Sequence, residues 1–184
     1  MGFLAARRCA LALFFGIFFF GSLIPRIAAA DDVFAFGPGQ TPGLLTVGAG
    51  TIGNVSADRE TAAVFSIEYR TGPRIELLRI RPSLGFFVTT DSSLYGWFGL
   101  STDLIFWRKL VLTPQIAVGA YNQGDGEDLG GTLEFRSGVV LAWRFDNESR
   151  LGVGVHHLSN AGIGDRNPGT ESLAVFYSHP LTIF

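Results

Sequence analysis

The chain has 184 residues, including 24 Gly and 17 Phe, a formal net charge of −2, and a single cysteine, Cys9. An acid-leaning charge excludes a protein that holds nucleic acid by bulk electrostatics. One cysteine excludes an intrachain disulfide and a thiolate metal site.

The first 30 residues read as a secretory signal peptide. Arg7 and Arg8 form its positive end, an apolar run of 16 residues follows from Cys9 to Ile24, and Ala28-Ala29-Ala30 offers a small-residue cleavage site. The run is short for a membrane-spanning helix. Cleavage after Ala30 removes three arginines and no acid, so the single domain expected over 31–184 carries a net charge of −5.

Eight strands are expected along that domain, roughly at 44–53, 61–70, 75–88, 94–105, 111–121, 132–144, 150–159 and 171–179. The sixth alternates most clearly. Leu133, Phe135, Ser137, Val139, Leu141, Trp143 and Phe145 share one face, opposite Thr132, Glu134, Arg136, Gly138, Val140, Ala142 and Arg144. The second splits in the same way, with Ala63, Phe65, Ile67 and Tyr69 opposite Val64, Ser66, Glu68 and Arg70. Glu68, Arg70, Glu76, Glu134, Arg136 and Arg144 thus collect on the side away from the apolar rows. In a small closed barrel that side is the lumen, where opposite charges pair and fill the space. The expected fold is an all-β, eight-stranded antiparallel transmembrane barrel of the outer-membrane type.

The connections supply a direction. The stretches 122–131 and 160–170 are long and polar, whereas 71–74, 106–110 and 145–149 are tight. Long outer loops and short inner turns are the asymmetry of outer-membrane barrels, although the first two outer connections are also short. Trp97, Trp107, Trp143 and Tyr177 are candidate girdle aromatics. Phe184 supplies a terminal aromatic, with Pro180 and Thr182 interrupting the alternation before it.

On the seventh strand Leu151, Val153, Val155, His157 and Ser159 fall on one face, and on the eighth Glu171, Leu173, Val175 and Tyr177 do the same. Three aliphatics thus lead to a base and a hydroxyl at the outer end of one strand, with a carboxylate at the outer start of the next. Pairing of 171 with either 157 or 159 puts all three on one face. Ser159 is then the nucleophile, His157 the base that takes its proton, and Glu171 the group that orients the imidazole. Asn160, Asn167 and the amides of the Ala161-Gly162 turn are candidate oxyanion donors. His156 has the opposite parity and is expected inside with a structural role, and His179 at the inner interface. Asp125, Glu127 and Asp128 lack the spacing of a calcium loop and read as a solvated acidic loop. No metal motif and no cofactor fingerprint is present.

The run His157-Leu158-Ser159-Asn160-Ala161-Gly162, with Asn167 and Glu171 beyond it, resembles the PagL-type lipid A 3-O-deacylases. That family places a His-x-Ser-Asn-Ala signature at the end of one barrel strand and a glutamate at the start of the next. The resemblance implies a lipid-facing Ser159–His157–Glu171 triad and ties Asn167 to activity. It also implies lipid A as substrate, residence in the outer membrane and no cofactor, with a homodimer as a further expectation. Two other readings compete: a non-enzymatic barrel for adhesion or envelope integrity, and a soluble lipid-binding barrel with its apolar face inward.

Overall fold

A computed structural model describes residues 34–37, 41–53, 61–74 and 78–181. The expected signal peptide, the first outer connection at 54–60, Glu76 and Phe184 lie outside the described residues. The strands in chain order are β1 (Phe34–Phe36), β2 (Leu44–Gly53), β3 (Ala62–Arg70), β4 (Arg81–Thr89) and β5 (Leu94–Ser101). They continue with β6 (Leu104–Phe106), β7 (Leu110–Asn122), β8 (Leu133–Arg144), β9 (Arg150–Ser159) and β10 (Thr170–Pro180).

Strands β2, β3, β4, β5, β7, β8, β9 and β10 pair antiparallel in that order, and β10 returns to β2 to close an eight-stranded barrel. Closure leaves no long open edge, which a sheet in hydrocarbon cannot tolerate. The eight strands run from 8 to 13 residues, enough to cross a bilayer core at the usual tilt.

The two faces separate as the alternation requires. Leu151, Val153 and Val155 are 47%, 51% and 50% exposed, whereas Glu68, Arg70, Glu134 and Arg136 are all buried. The apolar rows therefore lie outside and the charges inside. This is the reverse of a soluble lipid-binding barrel, and lipid is the solvent that makes it stable.

Three expectations about the strands change. The third begins at Arg81 rather than near residue 75. Arg74 N–H donates to the Ile80 carbonyl at 2.9 Å and Arg79 takes a φ of 52°, so the chain is still turning at 78–80. The fourth is interrupted at Thr102-Asp103, although β5 and β6 keep one register against β7. In that register Pro114 stands opposite Thr102; Thr102 N–H reaches the Pro114 carbonyl at 3.4 Å, and proline has no N–H to return. The short strand β1 was not foreseen; it pairs with β6 on the side where the wall has run out.

The lumen is filled in layers. Towards the outer end Ile52, Val64, Phe87, Tyr95, Trp97, Tyr121, Leu129 and Leu158 form an apolar cluster. Midway, Arg136 lies 4.6 Å above the Trp97 ring and 4.0 Å from Glu68, and Glu68 also pairs with Arg70 at 3.2 Å. At the inner end Asp103 accepts from Arg150 at 2.9 Å, Arg81 at 3.3 Å and the Thr113 hydroxyl at 2.9 Å. Buried charges of this kind hold only when paired and bonded, and these pairs tie β3, β4, β7 and β9 to the β5–β6 junction. The outer β4–β5 turn is fixed by Asp91, which accepts from the Thr89 and Ser93 hydroxyls. Partial burial would raise its carboxyl, but those bonds outweigh it and hold the carboxyl below its ordinary range.

Candidate active site

Strand β9 runs outward, so its last residues stand at the outer rim while its odd positions still face lipid. Of the two registers that parity allows, the barrel adopts the one that sets Glu171 directly opposite His157. The imidazole Nδ1 is 3.1 Å from Glu171 Oε1, and both side chains are partly exposed, at 46% and 44%. An ionised carboxylate only accepts, so Nδ1 carries the proton in this bond and Nε2 is left as the acceptor. Ser159 follows two residues along the same face, about 7 Å away between Cα atoms. Its register partner across β10 is position 169, one step beyond the Thr170–Leu158 pair.

Gly169 was not among the residues read from the sequence. It has a φ of 67°, and a β-carbon there would stand 2.8 Å from His157 Cε1 and 3.3 Å from Nε2. The bare backbone at 169 therefore makes room for the nitrogen-bearing edge of the ring. The available signal was a glycine two residues before the acidic partner, in a loop that must turn back sharply.

The loop from 160 to 169 revises two of the expected donors. Asn160 is buried, and its amide donates to the carbonyls of Leu129 at 3.0 Å and Arg166 at 2.6 Å. Both amide protons are thus committed to holding two outer loops together, and the side chain is not free to meet an oxyanion. Asn160 Oδ1 accepts the Gly162 N–H at 2.9 Å, which commits that amide as well. Asn167 fits the expectation better. Its Oδ1 accepts from Asn160 N–H at 3.1 Å, which anchors the side chain, and among the described residues no hydrogen bond uses its amide protons. Ala161, between the bonded amides of Asn160 and Gly162, takes a φ of 56°. Arg166 pairs with Asp128 at 3.3 Å, joining this loop to the acidic one.

His156 points inward and is buried, with Nε2 3.1 Å from Gln115 Oε1 and the ring edge-on to Phe176. His179 lies near the inner end beside Tyr177 on the outer face. Among the described residues no group of three or more His, Cys, Asp or Glu is arranged to hold a metal ion.

Comparisons with known proteins give the family and the fold. The chain is 36% identical over 55 residues to the lipid A deacylase PagL of Pseudomonas aeruginosa, a stretch covering 30% of this chain and 32% of that relative. The chain thus aligns with about a third of the length of that curated relative. The crystal structure of the outer membrane enzyme PagL superposes with a TM-score of 0.63 at 20% identity, covering 75% of this chain and 99% of that one. A designed transmembrane β-barrel matches with a TM-score of 0.51 at 12% identity, covering 78% of this chain and 100% of the design; both likenesses show the fold. The family model described as lipid A 3-O-deacylase (PagL) matches residues 78–180, more than half of the chain and the whole of the β9–β10 site, and the chain belongs to that family.

Proposed function

We propose that the protein is an outer-membrane serine esterase that removes the ester-linked 3-hydroxyacyl chain from the 3-position of lipid A. One observation carries this reading: a bonded His–Glu pair and a serine share the lipid-facing surface at the outer rim, where the outer-leaflet lipid lies. In the reaction Ser159 Oγ attacks the acyl carbonyl carbon while His157 Nε2 takes its proton. Glu171 keeps the imidazole in the Nδ1–H tautomer and stabilises the imidazolium that forms. The tetrahedral oxyanion is met by the Asn167 amide and the Ala161 N–H. Collapse expels the sugar hydroxyl, which receives the proton from His157, and water activated by the same imidazole then releases the fatty acid. Ser159 and His157 are not hydrogen-bonded in the free enzyme, as is common before substrate draws a nucleophile and its base together. Residues 1–30 act as the export signal that delivers the chain to this membrane.

The test is lipid A mass in membranes containing the wild type or Ser159→Ala. The wild type removes one 3-hydroxyacyl chain and the variant none. Equal loss of that chain with a folded Ser159→Ala barrel overturns the reading.

A further inference from the structure

The outward row of β8 reads Phe135, Ser137, Val139, Leu141 and Trp143, so Ser137 is the single polar side chain on a lipid-facing ridge. The register sets it directly opposite His157 on one side and Ile116 on the other. It is half-buried, and among the described residues its Oγ has no hydrogen-bond partner. A hydroxyl turned towards hydrocarbon without a partner is unfavourable, so its position beside the reacting groups calls for an explanation.

The histidine does not supply one. Nδ1 is taken by Glu171, and the Cε1–Nε2 edge lies over Gly169, so the nitrogen-bearing edge faces β10. Ser137 stands on the opposite flank, towards the carbon edge of the ring. It is also diagonal to Ser159, because Ser159 pairs with Phe135, at a separation of about 7–8 Å. The direction of this diagonal matters. Strand β9 runs outward, so the 137–157 level lies one step deeper in the membrane than Ser159. An acyl chain whose carbonyl carbon is at Ser159 Oγ, and whose tail extends into the hydrocarbon, passes Ser137 with its first few carbons.

We infer that Ser137 is a specificity-determining residue that exchanges a hydrogen bond with the hydroxyl on the third carbon of the acyl chain being cleaved. The assignment rests on the proposed role of Ser159. It explains why a polar side chain occupies a ridge that is otherwise apolar, and it names the preferred class of ester. Chains bearing a free 3-hydroxyl are favoured over unsubstituted chains, which leave Ser137 unpaired.

The probes are nitrophenyl esters of 3-hydroxytetradecanoic acid and of tetradecanoic acid in detergent micelles, with the full-length barrel. The readout is the ratio of kcat/KM between the two esters. The wild type is expected to favour the hydroxylated ester about tenfold, the worth of one such bond. Ser137→Ala brings the ratio close to one, and Ser137→Thr, which keeps a hydroxyl, retains most of it. A merely structural role lowers both rates together and leaves the ratio intact, and that result overturns the assignment, as does a wild type without preference. If Ser137→Ala keeps the ratio while Ser159→Ala is inactive, only the Ser137 assignment fails. If Ser159→Ala remains active, the esterase reading fails and this assignment with it.

Discussion

His157 and Glu171 face each other across the β9–β10 pair, and their 3.1 Å bond is made on the outside of the barrel rather than in its lumen. A charged side chain on the lipid face is unfavourable, least so near the interface, and the pairing satisfies His157 Nδ1 and Glu171 Oε1, while Glu171 Oε2 is buried with no hydrogen-bond partner among the described residues. Because the pair is partly exposed, its worth to stability is small, and its consequence is the tautomer of the ring. Glu171→Gln keeps the size but can present its amide NH2 to Nδ1, which favours the tautomer with the proton on Nε2. We expect hydrolysis to fall about 10²-fold or more, with barrel stability unchanged. Measured kcat against lipid A, with heat-shifted gel mobility as the fold control, decides this; near wild-type kcat would remove Glu171 from the proposed mechanism.

Gly169 gives a sharper test of the ring's position. Gly169→Ala adds a β-carbon 2.8 Å from His157 Cε1 and places a side chain at a φ of 67°. The backbone strain costs about 1–2 kcal/mol. The larger effect is on the ring, which must swing away from its present place. The expected result is a fall in kcat of about tenfold or more, comparable to a small misplacement of a catalytic group, with KM little changed. Equal activity would mean that the ring sits elsewhere when substrate is bound.

Parity made much of this site readable beforehand. In a barrel whose two faces meet different solvents, every second residue declares its side, so His157, Ser159 and Glu171 could be placed together without a structure. The sequence did not choose between two registers of equal parity, because both keep the apolar rows outside. The uses of Asn160 and Gly169 were hidden for another reason: each is set by a contact that parity does not reveal, Asn160 with Leu129 of a loop distant in sequence and Gly169 with the ring of His157 on the neighbouring strand. The break at Thr102 likewise depends on a proline across the ladder and becomes legible only once the register is known.

The two asparagines of the last outer loop should behave differently. Asn160→Ala removes bonds to Leu129, Arg166 and Gly162 and leaves the buried Leu129 carbonyl unpaired, at a cost of about 1–3 kcal/mol. The outer loops should then be cut faster by protease, and activity should fall along with loop order. Asn167→Ala removes an exposed donor that is anchored to one backbone amide. We expect kcat to drop about 10²–10³-fold while protease resistance is largely kept. Limited proteolysis alongside kcat separates the two, and the reverse pattern would exchange their roles.

At the far end of the barrel, Asp103 is the shared counter-ion of three buried arginines, at 2.9 Å from Arg150, 3.3 Å from Arg81 and 3.7 Å from Arg70. Its removal does more than delete three bonds. Arg81 is 1% exposed, and Arg70 and Arg150 are each 4% exposed, so none can regain water without opening the inner end. Asp103→Asn preserves the shape and one acceptor but leaves Arg81 and Arg150 without their counter-ion and Arg70 with Glu68 alone. The cost is expected at about 3–5 kcal/mol, the range found when one member of a buried ion pair is lost. Urea titration of barrels folded in lipid vesicles, read by heat-shifted gel mobility, should show the midpoint falling with an unchanged slope. Since the proposed catalytic groups lie at the opposite rim, activity per folded molecule should stay at the wild-type level. A large loss of specific activity in barrels that remain folded would show that the inner cluster positions the outer site, and the view of Asp103 as a purely structural counter-ion would then fail.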